Sequence, residues 1–106
     1  MSVSLLKPAS TEFSIRDLVE HAARMLGTGW QAVTPTDWLS IGQEHLVSPS
    51  GAYVSLSVDP EEVIVLNAVD ADRCGAEEYV APLEGATLHE VAVTVAASAR
   101  WMLALL

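Results

Sequence analysis

The chain has 106 residues, of which 51% are hydrophobic and 18% are charged. This is the composition of a protein that buries a core, and it excludes a disordered chain. Fourteen Asp and Glu against five Lys and Arg give a formal net charge of −9. Such a negative field disfavours direct binding to nucleic acid or to anionic lipid headgroups. No internal repeat or linker-like segment is present, so we expect one α+β domain spanning residues 1–106.

The sequence favours a cytoplasmic location. Its single cysteine, Cys74, cannot form an intramolecular disulfide. The first residues lack the basic region and the long apolar run of a signal peptide. The membrane candidate is residues 88–106, but this stretch contains Glu90 and Arg100 and barely reaches the ~20 residues that a crossing needs. We therefore expect no membrane anchor.

The first predicted element is an amphipathic helix from Ile15 to Leu26. Ser14 and Asp17 have the spacing of a capping box, with Asp in place of the usual Glu, and Gly27 stands where a helix commonly ends. Apolar residues recur at helical spacing, and they are Ile15, Leu18, Val19, Ala22, Ala23 and Leu26. One face of this helix should pack on a sheet.

The middle of the chain predicts three or four antiparallel strands in a meander. Residues 53–58 alternate strictly, with Val54, Leu56 and Val58 on the buried face. Residues 63–69 are apolar on both faces, which is typical of a strand that is covered on both sides or that lies at an association surface. Turns at 48–51 and 59–62 join these segments to each other and to a strand around 44–47. Residues 30–33 and 38–41 are weaker strand predictions.

Residues 70–86 show no clear period. The interpretation is a long acidic loop, in which only Tyr79 and Val80 favour a short edge strand.

The last predicted element is an apolar C-terminal helix. It opens with the capping box Thr87 to Glu90, and one apolar stripe along it should face the sheet. The remaining faces are also apolar, so a helix of this kind must be covered on more than one side. We therefore predict a homodimer through the outward residues Val93, Ala97, Trp101, Ala104 and Leu105. The alternatives are that the N-terminal helix of the same chain, a different protein or a membrane covers them.

No motif in the sequence supports a bound cofactor or metal. There is no CxxC pair and no glycine-rich phosphate loop. His89 and Glu90 open like a zinc-protease motif, but Val93 stands where the second histidine is required. Residues 70–75 resemble the start of a calcium loop, yet Cys74 and Ala81 occupy positions that need oxygen ligands. We predict no catalytic, cofactor-binding or metal-binding residues.

Acidic residues are concentrated between positions 59 and 84. A basic protein is the partner that such a concentration attracts. The candidate partner-binding residues are Asp59, Glu61, Glu62, Asp70, Asp72, Glu77 and Glu78.

The leading functional hypothesis is a small acidic interaction module that binds another protein, of an accessory, chaperone-like, inhibitor or immunity type. One alternative is a small-molecule or metal-binding domain that uses aromatic residues such as Trp30, Trp38 and Tyr53. A further alternative is an enzyme that uses Cys74 as nucleophile, with one of the three histidines beside it, or that uses paired carboxylates.

Overall fold

The computed structural model describes residues 14–70, 73–81 and 85–106 and has the α+β fold that the sequence predicts. A helix comes first, antiparallel strands follow, and a second helix ends the chain. The elements in chain order are α1 (Ile15–Leu26), β1 (Gln31–Val33), β2 (Glu44–Val47), β3 (Tyr53–Val58), β4 (Ile64–Asp70), β5 (Arg73–Val80) and α2 (Leu88–Leu105).

The five strands form one meander in the order β1-β2-β3-β4-β5, with every neighbouring pair antiparallel. Short connections join β2 to β3 and β3 to β4, which is the geometry that brief turns allow. Leu46 stands opposite Val54, and Leu56 stands opposite Leu66. This register places the apolar residues of neighbouring strands on the same face of the sheet.

Both helices cover that face. α1 packs mainly on β1 and β2, α2 packs mainly on β4 and β5, and the two helices contact each other. The core between the helices and the sheet contains the fully buried residues Leu18, Val19, Leu46, Val54, Leu56, Ile64, Leu66, Val95 and Met102. Helix and sheet thus form two layers around one core.

Capping boxes begin both helices, as predicted. The Ser14 hydroxyl accepts the backbone N–H of Asp17, whose carboxylate in turn accepts the backbone N–H of Ser14. Thr87 and Glu90 make the equivalent reciprocal pair at the start of α2. Each box satisfies backbone donors that the first helical turn leaves without a partner.

The prediction of a long acidic loop over residues 70–86 was wrong in its main part, because Arg73–Val80 forms the edge strand β5. Two features hid its alternation. The register shifts between Ala68 and Val69, so that Gly75 is an extra residue in the pairing. Glu78 also stands opposite Leu66 on the helix-covered face, where an apolar residue is expected. The sheet therefore has five strands rather than three or four.

Two smaller expectations are also corrected. Trp38–Ser40 forms a 3₁₀ helix within the β1–β2 connection, not a strand. Val58 is exposed although it pairs with the buried Ile64. It is the last residue of β3.

The opposite face of the sheet is covered by none of the described elements. Tyr53, Ser55 and Ser57 of β3 lie on it and are half-buried. His45 of β2 stacks on Tyr53, with ring centroids 4.3 Å apart and an interplanar angle of 22°. The β3 residues on this face are mostly polar, whereas the β4 residues Val65 and Val69 on the same face are apolar and half-buried. β4 is therefore apolar on both faces, as predicted, and the described elements cover only one of them.

Candidate functional site

The outward face of α2 carries a continuous apolar strip, which we call the α2 stripe. It consists of Val93, Ala97, Trp101, Ala104 and Leu105. Spacings of four, four and three positions put Val93, Ala97, Trp101 and Ala104 on one side of the helix, and Leu105 lies at the edge of that side. All five are exposed, and the exposed fractions reach 44% for Val93 and 58% for both Trp101 and Leu105. The core of the chain makes no use of them.

A second apolar surface lies in the β1–β2 connection, and we call it the tip. It consists of Trp38, Leu39 and Ile41, whose exposed fractions are 76%, 72% and 81%. Large apolar side chains exposed to this extent, and so close together in the chain, mark interaction sites more often than isolated ones do.

Hydrogen bonds hold the backbone of the tip in one conformation. The Ser40 hydroxyl donates to Asp37 Oδ2 at 3.0 Å, and the Ser40 backbone N–H donates to the Asp37 carbonyl at 3.0 Å. The Gln43 N–H donates to the Ser40 carbonyl, also at 3.0 Å. At the base, the Thr34 hydroxyl donates to Glu44 Oε1 at 2.7 Å. The apolar side chains therefore stand on an ordered turn.

The β3–β4 turn contains three of the candidate acidic residues. Asp59 has a structural role there, because its Oδ1 accepts the backbone N–H groups of Glu61 at 2.8 Å and Val63 at 2.9 Å. Glu61 is exposed, and Glu62 is half-buried with a positive φ of 65°. Of the three, Glu61 has the carboxylate that is most available to a partner.

The other candidate acidic residues do not join this turn in one patch. Asp70 ends β4 at the opposite end of the strand from the turn, roughly 20 Å away at ~3.4 Å per residue. Glu77 pairs with Asn67 and Glu78 with Leu66, so adjacent glutamates lie on opposite faces of the sheet. One carboxylate oxygen of Glu78 is buried without a hydrogen-bond partner among the described residues. Asp72 lies outside the described residues.

The histidines are dispersed over two sites. His21 and His89 join α1 to α2, with Nε2 of the first 3.0 Å from Nδ1 of the second. Arg24 Nη2, which can only donate, lies 3.4 Å from the remaining nitrogen of His21, Nδ1. On the sheet, burial lowers the pKa of His45, and the carboxylates of Asp37 and Glu44 oppose this shift.

The described residues bear on the metal alternative but not on the cysteine alternative. Within residues 14–70, 73–81 and 85–106, no three His, Cys, Asp or Glu side chains are grouped so that they could hold a metal ion. The side chain of Cys74, and with it the hypothesis of a nucleophile, lies outside what the structure describes.

Two open clefts of about 420 Å³ each lie at the end of the sheet where Asp70 ends β4. One lies between the end of α2 and the β2–β3 turn and is lined by residues that include Trp30, Ala52, Leu103 and Arg100. Its volume is within the range of ligand pockets, but such pockets usually enclose most of the ligand. An open cleft of mixed lining gives weaker support to a function than the α2 stripe and the tip do.

Of the three tip residues, only Trp38 is a candidate from the sequence, as one of the aromatic residues of a ligand site, and Leu39 and Ile41 are not predicted. The signal for all three is that large apolar residues stand between the turn-forming segment 34–37 and Gly42. The α2 stripe was predicted residue by residue, since α2 is apolar nearly all round.

Comparisons with known proteins add nothing to this geometry. The chain has no significant match among protein-family models, curated proteins or solved structures. In the part of the chain that the structure describes, neither helix has both the length and the apolar character that a membrane crossing requires.

Proposed function

We propose that this chain is a protein-interaction domain that forms a homodimer through the α2 stripe. The observation that carries the proposal is the exposure of Val93, Trp101 and Leu105 along one side of a helix whose opposite side is buried in the core. Among the described residues, neither the buried core nor a chemical site accounts for the exposure of these side chains. A second molecule that covers them does.

The energetic argument rests on apolar area. Each Å² of apolar surface removed from water stabilises an assembly by roughly 25 cal/mol. Trp101 dominates the stripe, since a tryptophan side chain offers the largest area of any residue and is enriched at the centre of interfaces. The stripe is about 18 Å long at 1.5 Å per residue over residues 93–105. This is a small interface, and we expect association in the micromolar range.

The shape of the stripe suits a second copy. Ala97 lies midway between Val93 and Trp101, and a small residue at that position lets two helices approach closely. An antiparallel pair related by a two-fold axis near Ala97 sets Trp101 of one copy against Val93 of the other. Two-fold dimers are also the commonest homo-oligomers.

Electrostatics are compatible with this pairing. Arg100 is the one charged residue between positions 93 and 105, so the apolar centre carries little like-charge repulsion. The two chains nevertheless repel each other at long range, because each has a net charge of −9. Added salt screens this repulsion. We therefore expect the dimer to strengthen as the ionic strength rises.

The test is sedimentation at micromolar concentration of the wild-type chain and of Trp101→Glu. The wild type should sediment as a dimer and the variant as a monomer with unchanged circular dichroism. Leu39→Glu is the matched control, since it introduces the same charge at an exposed apolar position outside α2, and it should remain dimeric. A wild type that is monomeric at every concentration contradicts the homodimer.

A further inference from the structure

We infer that the tip is the docking site for a different protein, one that presents an apolar groove with a basic rim. This inference rests on the proposed function, because it names the partner class and the surface for an interaction domain. It assigns to Trp38, Leu39 and Ile41 a role that is separate from self-association.

The tip has the properties of an interface anchor. Tryptophan is among the residue types most enriched at the residues that contribute most to binding energy in interfaces. Trp38 is accompanied by two more large exposed apolar residues, Leu39 and Ile41. The hydrogen bonds of Ser40 to Asp37 and of Gln43 to Ser40 hold the turn before any partner arrives. A preorganised turn loses less conformational entropy on binding, so more of the burial energy appears as affinity.

The surroundings of the tip are acidic. Asp37 and Glu44 flank it in the sequence, and the described part of this connection contains no Lys or Arg. The β3–β4 turn with Glu61 lies at the same end of the sheet, since Glu44 at the start of β2 pairs with Leu56, two residues before the end of β3. The tip is therefore an apolar projection beside a rim of negative charge.

This combination selects the partner. A projecting apolar turn requires a concave apolar surface, and an acidic rim requires positive charge around that surface. A second copy of the chain lacks the positive charge, because its own net charge is −9. An anionic membrane or a nucleic acid has the wrong sign of charge. A basic protein with an apolar groove meets both requirements.

The experiment compares wild type and Trp38→Ala as immobilised baits in a lysate of the native host. Proteins that the wild type recovers and the variant does not are identified by mass spectrometry, purified and titrated against each chain. We expect a protein of net positive charge, and a dissociation constant roughly 30-fold or more higher for Trp38→Ala. Affinity should fall as salt is added, the opposite of the dimer.

Two further variants locate the charge effect. Glu61→Lys should lower the association rate several-fold at low salt and reduce its salt dependence. Glu77→Lys is the matched control, since it makes the same charge change at an exposed glutamate of β5. It should have a distinctly smaller effect. Equal effects of the two variants contradict docking at this end of the sheet.

The remaining outcomes separate this inference from the proposed function. If a recovered protein binds Trp38→Ala as tightly as wild type, or is lost with Trp101→Glu alone, the domain binds proteins but the tip is not the site. If Leu39→Glu makes the chain monomeric, the tip contacts a second copy.

If vesicles of phosphatidylcholine, with or without phosphatidylglycerol, shift the tryptophan fluorescence of wild type but not of Trp38→Ala, the occupant is lipid. If nothing distinguishes the two baits, the inference is wrong, whereas sedimentation still decides the homodimer.

Discussion

The two helices lie side by side on the same face of the same sheet, yet they meet the solvent with opposite chemistry. Both bury an apolar stripe, with Leu18 in α1 and Met102 in α2 fully buried. On the outward side, α1 presents charged residues. Among them, Arg16 and Glu20 form an ion pair in which Nε lies 3.4 Å from Oε2. α2 presents Trp101 and the rest of the α2 stripe.

This contrast separates what folding requires from what it does not. Packing on the sheet needs only the inward stripe, and α1 satisfies that need with a polar outer face. An outward tryptophan therefore adds nothing to the fold of α2 and carries a cost in solubility. The difference between the helices is the reason to assign the outer face of α2 to a second molecule.

The largest effect should come from the inward stripes, where the helices are alike. Leu18→Ala and Met102→Ala each remove a fully buried side chain, and each should lower the free energy of unfolding by about 2–5 kcal/mol. Urea denaturation followed by circular dichroism measures this. If one of the two costs less than about 1 kcal/mol, the helices do not share one core.

The helix caps should give a smaller and again similar effect. Ser14→Ala and Thr87→Ala each remove the hydroxyl of a capping box, which should cost about 1 kcal/mol. The same denaturation experiment applies, with Ser57→Ala on the uncovered sheet face as a control of similar size. If Ser57→Ala lowers the free energy of unfolding as much as the two cap substitutions do, the capping hydrogen bonds do not account for the loss.

Acidification should weaken the fold in two steps. Burial lowers the pKa of His45, so protonation of this histidine is harder in the folded than in the unfolded state. The fold therefore keeps its full stability above pH 6.5 and loses stability as the pH falls from there through the folded-state pKa. Hydrogen bonds from the backbone and side chain of Thr87 lower the pKa of Glu90, so the cap contribution is lost as the pH falls below about 4.5. Denaturation midpoints measured from pH 8 to pH 3 should decline accordingly.

Two substitutions assign these steps. His45→Gln should remove the decline that begins near pH 6.5, and Glu90→Gln should remove the one at lower pH. A midpoint profile that is unchanged by either substitution contradicts the assignment.

The sequence predicts the helices and the β3–β4 hairpin well, because each has a regular apolar period and a recognisable cap or turn. β5 is not predicted because two features interrupt its apolar period. Gly75 is an extra residue in the pairing, and Glu78 faces the helix layer. Both depend on long-range pairing with β4, which no local pattern encodes.

The candidate surfaces divide in the same way. The α2 stripe could be predicted because helical spacing alone puts its residues on one side of α2. The tip was not predicted, because Leu39, Ser40 and Ile41 alternate in a way that equally suits a strand, whereas the chain forms a 3₁₀ helix there. The seven acidic residues are close in the sequence, but strand direction and alternation distribute those that are described over two ends and two faces of the sheet.

Site-specific crosslinking tests most directly the claim that a second copy covers α2 and leaves α1 exposed. Single cysteines at Ala97 and, as a matched exposed position, at Arg24 are introduced in a Cys74→Ser background and treated with a short thiol-reactive crosslinker at micromolar protein concentration. Ala97→Cys should give covalent dimers in high yield, and Arg24→Cys should give few. Equal yields from the two helices would contradict a homodimer formed through the α2 stripe.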